Sequence, residues 1–362
     1  MFHLKLIPLL VCLIVSLAYG EEWARFRGPQ GDGHTDVEGI PTEWSLQKNL
    51  AWQAELPGDG ASTPVIWKNR IYLTCYSGYY RWEKSQDFEA FGLHVVCLDA
   101  DGNVVWDKKV PHDEQQRPGG FGGPRWHGYA TGTPVVAEEG VYASFGHNGF
   151  FALDHDGEIR WSVDPGERAH GWGYGASPMI HGDMVVMNFS AVNGHMRAYD
   201  RESGEQVWST DIGPKSWSTP IAVPVGEQEQ LVLHVQNGIA AFNPENGERL
   251  WFVDGGRDYQ STSSIYHDGV IYYSLQNTHR GVCTMALKSR PGEQPEVLWK
   301  RDDTGAVVGT PVYHEGRLYF SAVDARTRRD RKGFWCLDAA TGETLYHEPL
   351  NPEAKTIYAS PV

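Results

Sequence analysis

The sequence predicts an all-β protein, a β-propeller of four-stranded antiparallel blades, from three observations. A motif of a small residue or Ser/Thr, then Pro, then an apolar pair recurs along the chain. Short alternating apolar segments bounded by glycine follow each copy, and each unit ends near a tryptophan. Repeated short strands with periodic glycines and aromatics are typical of propellers. Six full repeats run from Ser62 to about Leu350.

Strand A of each unit follows the Pro motif. Its copies are Ser62-Thr63-Pro64-Val65, Gly132-Thr133-Pro134-Val135, Ala176-Ser177-Pro178-Met179, Ser218-Thr219-Pro220-Ile221, Gly309-Thr310-Pro311-Val312 and Ala359-Ser360-Pro361-Val362. A degenerate copy, Ser263-Ser264-Ile265, lacks the proline.

Strands B, C and D have signatures of their own. Strand B alternates apolar residues around a tyrosine, as in Arg70-Ile71-Tyr72-Leu73, and a period of two indicates a strand. Strand C leads into a turn that begins with Asp and ends with Gly, because Asp bonds the turn backbone and Gly accepts positive φ. Strand D ends in Trp106, Trp161, Trp208, Trp251 and Trp299, with Tyr346 in the last full unit.

Stacking around an axis is what such units require, since one four-stranded sheet cannot bury both of its faces. Each closing tryptophan is predicted to cover the next blade and to bury ~150–250 Å². These tryptophans are therefore interpreted as structural. Asn49–Trp52 has the form of a further closing strand, and a seventh unit starts at Tyr358. The two pieces do not complete one blade, so we expect that the sequence is truncated.

The first residues read as an export signal. Lys5 precedes a nearly continuous apolar run from Leu6 to Ala18, which is too short to span a bilayer in the mature protein, and small residues follow it. We assign residues 1–20 to a signal peptide and 21–362 to the propeller domain, with no transmembrane segment in the mature chain. The protein is expected to be periplasmic or extracellular.

Charge and cysteine usage exclude some function classes. A formal net charge of -15 repels phosphates, so no nucleic acid partner is expected. The mature cysteines are Cys75, Cys97, Cys283 and Cys336, and none are adjacent or in CxxC spacing. A redox motif or zinc site is therefore not indicated. Cys97 and Cys336 occupy a position that favours a small buried side chain, and a bridge between Cys75 and Cys97 stays open.

The repeat resembles that of the pyrroloquinoline-quinone-like (PQQ-like) propeller superfamily. Asp338-Ala339-Ala340-Thr341-Gly342-Glu343 is its clearest copy, and the opening Trp23-Ala24-Arg25-Phe26-Arg27-Gly28-Pro29 is similar to that of exported bacterial members. The superfamily includes quinoprotein alcohol dehydrogenases and BamB, the propeller subunit of the outer-membrane barrel-assembly machinery. Its members typically have eight blades, which implies that about one and a half blades are absent from this sequence.

Strand alternation sends the connections to two faces. The B–C and D–A loops emerge on one, here called the first face, and the A–B and C–D turns on the other, the second face. The second-face turns are short, whereas the first-face loops are long and aromatic. The B–C loop of unit one, for example, is predicted to run from Tyr76 to Leu93. Because binding usually sits in variable loops on a rigid scaffold, the first face is the predicted site. The candidate binding residues are Arg125, Trp126, His127, Tyr129, His170, Trp172, Tyr174, Trp217, Tyr259, Arg328 and Arg329.

The composition of these loops suggests a ligand class. Arginine with aromatics is enriched at binding hot spots, and the B–C loop of unit six is basic from Arg326 to Lys332 in an acidic protein. We predict an anionic or sugar-like ligand, or an acidic segment of a cell-envelope protein. The alternative is that this loop is simply solvated.

Catalysis is not the preferred interpretation. The resemblance implies that a quinoprotein dehydrogenase needs a quinone between a Trp and a Cys–Cys disulfide, calcium held by Glu and Asn, and an Asp base. No motif supplies these, so no cofactor is expected, and PQQ with Ca²⁺ is the alternative. His127 and His170 could serve hydrolysis, but no Ser/His/Asp or His-x-x-x-His spacing supports it. Catalytic residues stay unknown, and the sequence favours a non-catalytic binding or scaffold protein of the cell envelope.

Overall fold

Six four-stranded antiparallel sheets form the molecule. A computed structural model describes residues 22–78, 90–112, 128–166, 173–255, 260–277, 281–306, 308–322, 333–349 and 360–362. In every sheet the strand order follows the sequence, so each blade is a meander. One short helix, α1 (Ser190–Asn193), and one 3-10 turn (Gly146–Asn148) join strands B and C in two blades. The predicted all-β propeller class is confirmed.

Blades 1 to 3 come first in the chain. Blade 1 contains β1 (Val65–Trp67), β2 (Arg70–Ser77), β3 (Gly92–Asp99) and β4 (Val104–Val110). Blade 2 contains β5 (Val135–Ala137), β6 (Gly140–Ser144), β7 (Phe150–Leu153) and β8 (Ile159–Val163). Blade 3 contains β9 (Met179–His181), β10 (Met184–Phe189), β11 (His195–Asp200) and β12 (Gln206–Asp211).

Blades 4 to 6 follow the same plan. Blade 4 contains β13 (Ile221–Val225), β14 (Gln228–Val235), β15 (Gly238–Phe242) and β16 (Arg249–Asp254). Blade 5 contains β17 (Ile265–His267), β18 (Val270–Asn277), β19 (Gly281–Lys288) and β20 (Glu296–Arg301). Blade 6 contains β21 (Val312–His314), β22 (Arg317–Ala322), β23 (Gly333–Asp338) and β24 (Thr344–Glu348).

One loop boundary differs from the sequence prediction. The B–C loop of unit one was predicted to run from Tyr76 to Leu93, but these two residues pair with each other in the β2–β3 ladder. Both residues are buried, Tyr76 at 2% exposure and Leu93 at 0%. Their packing extends β2 and β3 beyond the segment in which apolar and polar residues alternate in the sequence. The connection is shorter than predicted.

The Ser/Thr of the Pro motif links each blade to the next. In each case a backbone N–H donates to the hydroxyl of the equivalent residue one blade further on, over 2.9–3.0 Å. The series runs Thr63, Thr133, Ser177, Thr219, Ser263, Thr310 and Ser360. A buried N–H needs a partner, which explains why the degenerate copy in unit five loses its proline but keeps a hydroxyl.

Closing tryptophans dock on the neighbouring blade, as predicted. The indole N–H donates to a backbone carbonyl in the next C–D turn, that of the residue after the opening Asp or Asn, over 2.8–3.0 Å. The pairs are Trp106 with His155, Trp161 with Arg201, Trp208 with Pro244 and Trp299 with Ala339. The turn glycine lies beneath the ring: a Cβ at Gly204 would come within 2.7 Å of Trp161. The glycine thus serves contact with the ring as well as its positive φ of 74°.

Two tryptophans depart from this scheme in informative ways. Trp52 donates to the Ala100 carbonyl over 2.8 Å, so it covers blade 1 in the way a preceding blade would, although its segment is not a strand. Trp251 faces a blade without the Asp–Gly turn and instead donates to the side chain of Gln230 in its own blade. Docking therefore depends on the turn signature of the following blade.

Cysteines occupy the blade interior without forming a bridge. Cys75 and Cys97 are both free and buried. Cys97 pairs with Tyr72 in the β2–β3 ladder, three residues along β2 from Cys75, so the two thiols project from opposite faces of the sheet. Burial raises the pKa of Cys97 to about 11 and that of Cys75 to about 12. The open possibility of a bridge is wrong, and the prediction of a small buried position is confirmed.

Replacing a docked tryptophan is expected to loosen the ring. Trp208→Phe keeps most of the apolar contact but removes the indole donor of the Pro244 carbonyl, which should cost about 1–3 kcal/mol. The measurement is the thermal unfolding midpoint by circular dichroism. Trp44→Phe is the control, because Trp44 is 76% exposed. Equal midpoints for the two variants would contradict the role given to the indole N–H.

Candidate functional site

An N-terminal segment, Trp23–His34, contacts the inner strands of blades 1 and 2 and reaches blade 6, and it is here called the strap. Its Trp23 carbonyl accepts the Ile66 N–H of blade 1, and its Ala24 carbonyl accepts the Val136 N–H of blade 2, each over 2.9 Å. Ile66 and Val136 lie in the short A strands close to their A–B turns. The strap therefore begins on the inner strands of blades 1 and 2.

Arg27 fixes the other end of the strap. Its guanidinium donates to the Pro311 carbonyl over 2.7 Å and to the Pro361 carbonyl over 3.2 Å, and the residue is 3% exposed. Burial lowers the pKa of Arg27 to about 10, and the charge of Asp32 acts against that shift, so the side chain stays charged at neutral pH. His34 stacks on His314 at the A–B turn of blade 6.

The strap was missed as a functional feature in the sequence. In the sequence, the residues of the strap supported a family resemblance but did not predict where this segment lies in the fold. The available signal was chemical: two arginines and three glycines precede the first blade within eleven residues of Trp23. Such a segment can bring a backbone close to a crowded axis. What it contacts depends on strands that lie up to 334 residues away.

A cavity of about 360 Å³ lies beside the strap on the second face. Its walls come from the strap and from blades 1, 2 and 3, and they include Arg25, Trp67, Val135, Ile180 and Arg201. Arg201 pairs with Glu139 over 3.2 Å, which leaves little net charge at that wall. This cavity is on the face opposite the predicted site.

Most of the predicted binding residues lie outside the described residues. These are Arg125, Trp126, His127, His170, Trp172, Tyr259, Arg328 and Arg329. Tyr129, Tyr174 and Trp217 are described, and each directly precedes strand A of its blade.

The three described candidates anchor the loops in the core. Tyr129 packs edge-on against Tyr76 and Phe91, with ring centroids 5.6 and 5.2 Å apart. Tyr174 donates its hydroxyl to the Ser144 carbonyl, and burial raises its pKa well above the ordinary value. Both tyrosines are buried, at 7% and 6% exposure.

Trp217 keeps part of its ring accessible. Its indole N–H donates to the Gly173 carbonyl over 2.8 Å, and the residue is half-buried. It packs in the same apolar cluster as Tyr174, whereas Tyr129 belongs to the neighbouring cluster. Among the described candidates, Trp217 is therefore the one that has surface to offer a ligand.

A buried polar cluster joins blades 4 and 5. His234 Nε2 lies 2.8 Å from Ser264 Oγ, and its Nδ1 lies 3.3 Å from Thr262 Oγ1. The His234 ring stands 4.4 Å from that of Tyr273. Burial without a charged partner lowers the pKa of His234 to about 3. Because His234 and Ser264 are 0% and 1% exposed, this pair holds blades together and is closed to substrates.

Among the described residues, no pair of adjacent cysteines and no cluster of metal ligands is present. Cys75, Cys97, Cys283 and Cys336 are free, buried and separate in sequence, so no adjacent-cysteine disulfide can form. In the described parts of the chain, no three His, Cys, Asp or Glu side chains converge as metal ligands. No helix in those parts is long and apolar enough to span a bilayer.

Comparisons with known proteins support the propeller repeat. The sequence profile of the family described as outer membrane protein assembly factor BamB matches residues 235–360. Among solved structures, BamB from Moraxella catarrhalis superposes with a TM-score of 0.56 at 14% identity, covering 81% of this chain and 74% of that one. At that identity the likeness shows the fold alone.

Curated relatives are quinoproteins. The lanthanide-dependent methanol dehydrogenase of Methylorubrum extorquens is 27% identical over 54% of this chain and 35% of its own length. The quinoprotein alcohol dehydrogenase PedH of Pseudomonas putida is 25% identical over 66% of this chain and 39% of its own length. The chain thus spans well under half of these relatives. Together the matches confirm the resemblance to PQQ-like propeller repeats.

The His234 cluster predicts a pH dependence of stability. The folded-state pKa of about 3 lies below the ordinary value of 6.5. Between these limits the unfolded chain takes up a proton that the folded chain refuses, so the contribution is complete above pH 6.5 and is lost as the pH falls towards 3. The slope is at most about 1.4 kcal/mol per pH unit.

This dependence is checked by urea unfolding from pH 7 to pH 4. His234→Gln should flatten the loss of stability on acidification, whereas His267→Gln, at an exposed turn, should not. An unchanged slope in His234→Gln would show that other groups cause the acid sensitivity.

Proposed function

We propose that this chain, a propeller of the PQQ-like repeat type, is an exported binding or scaffold protein that engages its ligand or partner on the first face. The observation that carries the proposal is the strap. It bonds to the inner strands of blades 1 and 2 near their A–B turns, and Arg27 is buried against the Pro311 carbonyl of blade 6. The first face is then the end of the axis available to a ligand.

Anchored aromatics support the same choice of face. Tyr129 and Tyr174 hold the bases of the D–A loops in the core, and Trp217 adds a half-buried ring at the third position. Rigid bases under long loops are the usual arrangement of binding sites on scaffolds. The basic B–C loop of unit six and the aromatic D–A loops suit an anionic or sugar-like ligand, or an acidic segment of an envelope protein.

The family match favours a protein partner over a free solute. The matching profile is described as an outer membrane assembly factor, and a solved BamB shares the fold. Export to the periplasm or the exterior is part of the proposal and rests on the apolar run at Leu6–Ala18. Assembly with other envelope proteins is the role that joins these observations.

A quinone-dependent oxidoreductase is the second candidate. The observation in its favour is that the curated relatives are quinoprotein alcohol dehydrogenases. Against it stand the separated, buried cysteines and the lack of converging ligands among the described residues. A shared repeat is enough to explain the sequence similarity to these dehydrogenases. It does not imply quinone-dependent oxidation, because many proteins share a fold without sharing an active site.

Charge reversal in the basic loop tests the binding proposal. The double variant Arg328→Glu/Arg329→Glu should lower the retention of envelope proteins on the immobilised propeller at least tenfold, because it replaces two cations by two anions. Arg249→Glu, on the exposed outer strand β16, is the matched control. Retention of the same proteins in the same amounts by both variants would refute the role of this loop.

Reconstitution tests the second candidate. Purified protein incubated with PQQ and either Ca²⁺ or a lanthanide is expected to reduce no artificial electron acceptor when supplied with methanol or ethanol. The same preparation should give no quinone absorbance after gel filtration. Dye reduction that needs both quinone and metal would replace the binding proposal by the oxidoreductase.

A further inference from the structure

Blade 1 holds a serine, a histidine and an aspartate in hydrogen-bonded series. Ser77 Oγ lies 3.0 Å from His94 Nε2, and His94 Nδ1 lies 2.8 Å from Asp107 Oδ1. These are the contacts by which a histidine activates a serine hydroxyl while a carboxylate orients the imidazole. We propose that this group is a hydrolytic site for small carboxylic esters, an activity beyond the binding function proposed above.

Strand register, and no local sequence motif, assembles the three residues. Ser77 ends β2, His94 lies in β3 and Asp107 in β4. In the ladders Cys75 pairs with His94, and Val96 pairs with Asp107. The three are thus diagonal neighbours on one face of the sheet, within reach of long side chains. Spacing along the chain does not reveal cross-strand neighbours, so the sequence offered no motif for this arrangement.

The propeller repeat does not require these residues. The position of His94 is glycine in blades 2, 4 and 6, at Gly149, Gly238 and Gly333. The position of Asp107, directly after the docked tryptophan, is Ser162 in blade 2 and Phe252 in blade 4. Among the six blades, blade 1 alone combines a histidine at the first position with a carboxylate at the second, and the two side chains bond to each other.

The serine and the aspartate keep part of their surface exposed, whereas the histidine between them is buried. Ser77 is half-buried at the first-face end of β2, the Asp107 side chain is 34% exposed, and His94 is 7% exposed. A Cβ at Gly92 would come within 2.5 Å of Lys109 Cε, 2.9 Å of His94 Nε2 and 3.0 Å of Lys109 Nζ. Glycine at this position therefore lets the imidazole and the lysine ammonium group converge over the backbone, in what is here called the cradle.

A balanced acyl transfer follows from these positions. Ser77 Oγ attacks the ester carbonyl carbon as its proton passes to His94 Nε2, and Asp107 stabilises the imidazolium through Nδ1–H. Lys109 Nζ offers a positive charge to the carbonyl oxygen as it becomes an oxyanion. The bond to the alcohol oxygen then breaks, and His94 returns the proton to the leaving alcohol.

Water completes the cycle. It attacks the acyl group on Ser77 while His94 takes one of its protons, the bond to Ser77 Oγ breaks, and the serine regains its hydrogen as the carboxylic acid leaves. The hydroxyl of Ser77 also lies 3.2 Å from the Ala90 carbonyl. In the reactive arrangement it donates to His94 instead, so the approach of substrate selects between two existing acceptors.

Hydrolysis of 4-nitrophenyl acetate by the full chain, with covalent labelling by a fluorophosphonate, tests the proposal. We expect catalysed release of 4-nitrophenol and a single phosphonylated residue, Ser77, in the mass spectrum. Ser77→Ala and His94→Gln should each lower kcat/KM about 100-fold or more, and Asp107→Asn should lower kcat with little change in KM. Gly92→Ala should fill the cradle and raise KM.

His195→Gln is the matched control. His195 holds the same register position in blade 3, but its Nδ1 contacts the Asn193 backbone carbonyl over 2.9 Å. It should leave both hydrolysis and labelling unchanged. Labelling of wild-type protein keeps the test decisive even if a variant unfolds. Ester release equal to buffer, equal rates for wild type and folded Ser77→Ala, or a label on another residue would each overturn the proposal.

Discussion

Contact between neighbouring blades is the interaction on which the rest of the structure depends. Most of the apolar clusters span two blades; one of them joins Leu93 and Val95 of blade 1 to Val141 and Leu153 of blade 2. The docked tryptophans add hydrogen bonds between neighbouring blades at the outer strands, and the hydroxyls of the Pro motif add them near the inner strands. A four-stranded sheet of this kind can bury its two sides only against neighbouring blades. The packing between blades therefore also fixes where the loops of the first and second faces lie.

A buried cation gives the two faces different characters. Moving a guanidinium into the axis is costly unless carbonyls replace its hydration, and Arg27 finds those of Pro311 and Pro361. The strap therefore joins blades from opposite ends of the chain and occupies the second face. Propellers that share a fold can carry different sites, so fold likeness to BamB and sequence likeness to quinoproteins leave the chemistry to particular side chains.

Polar groups in the interior divide into two kinds. His234 with Ser264 is sealed between blades and contributes to cohesion, whereas His94, itself buried, bonds to a half-buried Ser77 and an exposed Asp107 in blade 1. The contacts are chemically alike, and exposure distinguishes them. Catalysis needs a reachable nucleophile as well as an activated one.

Local pattern determined the blades, because period-two strands, Asp–Gly turns and closing tryptophans are each set by residues within one repeat. Six blades, their strand order, the degenerate fifth strand A and the docking of Trp161 all followed from it. Tertiary structure alone decided the course of the strap and the meeting of Ser77, His94 and Asp107, since a ladder places residues 17 and 13 positions apart side by side. The spacing of residues along the sequence does not show which residues pair across strands. It also does not show which distant backbone carbonyls accept hydrogen bonds from Arg27.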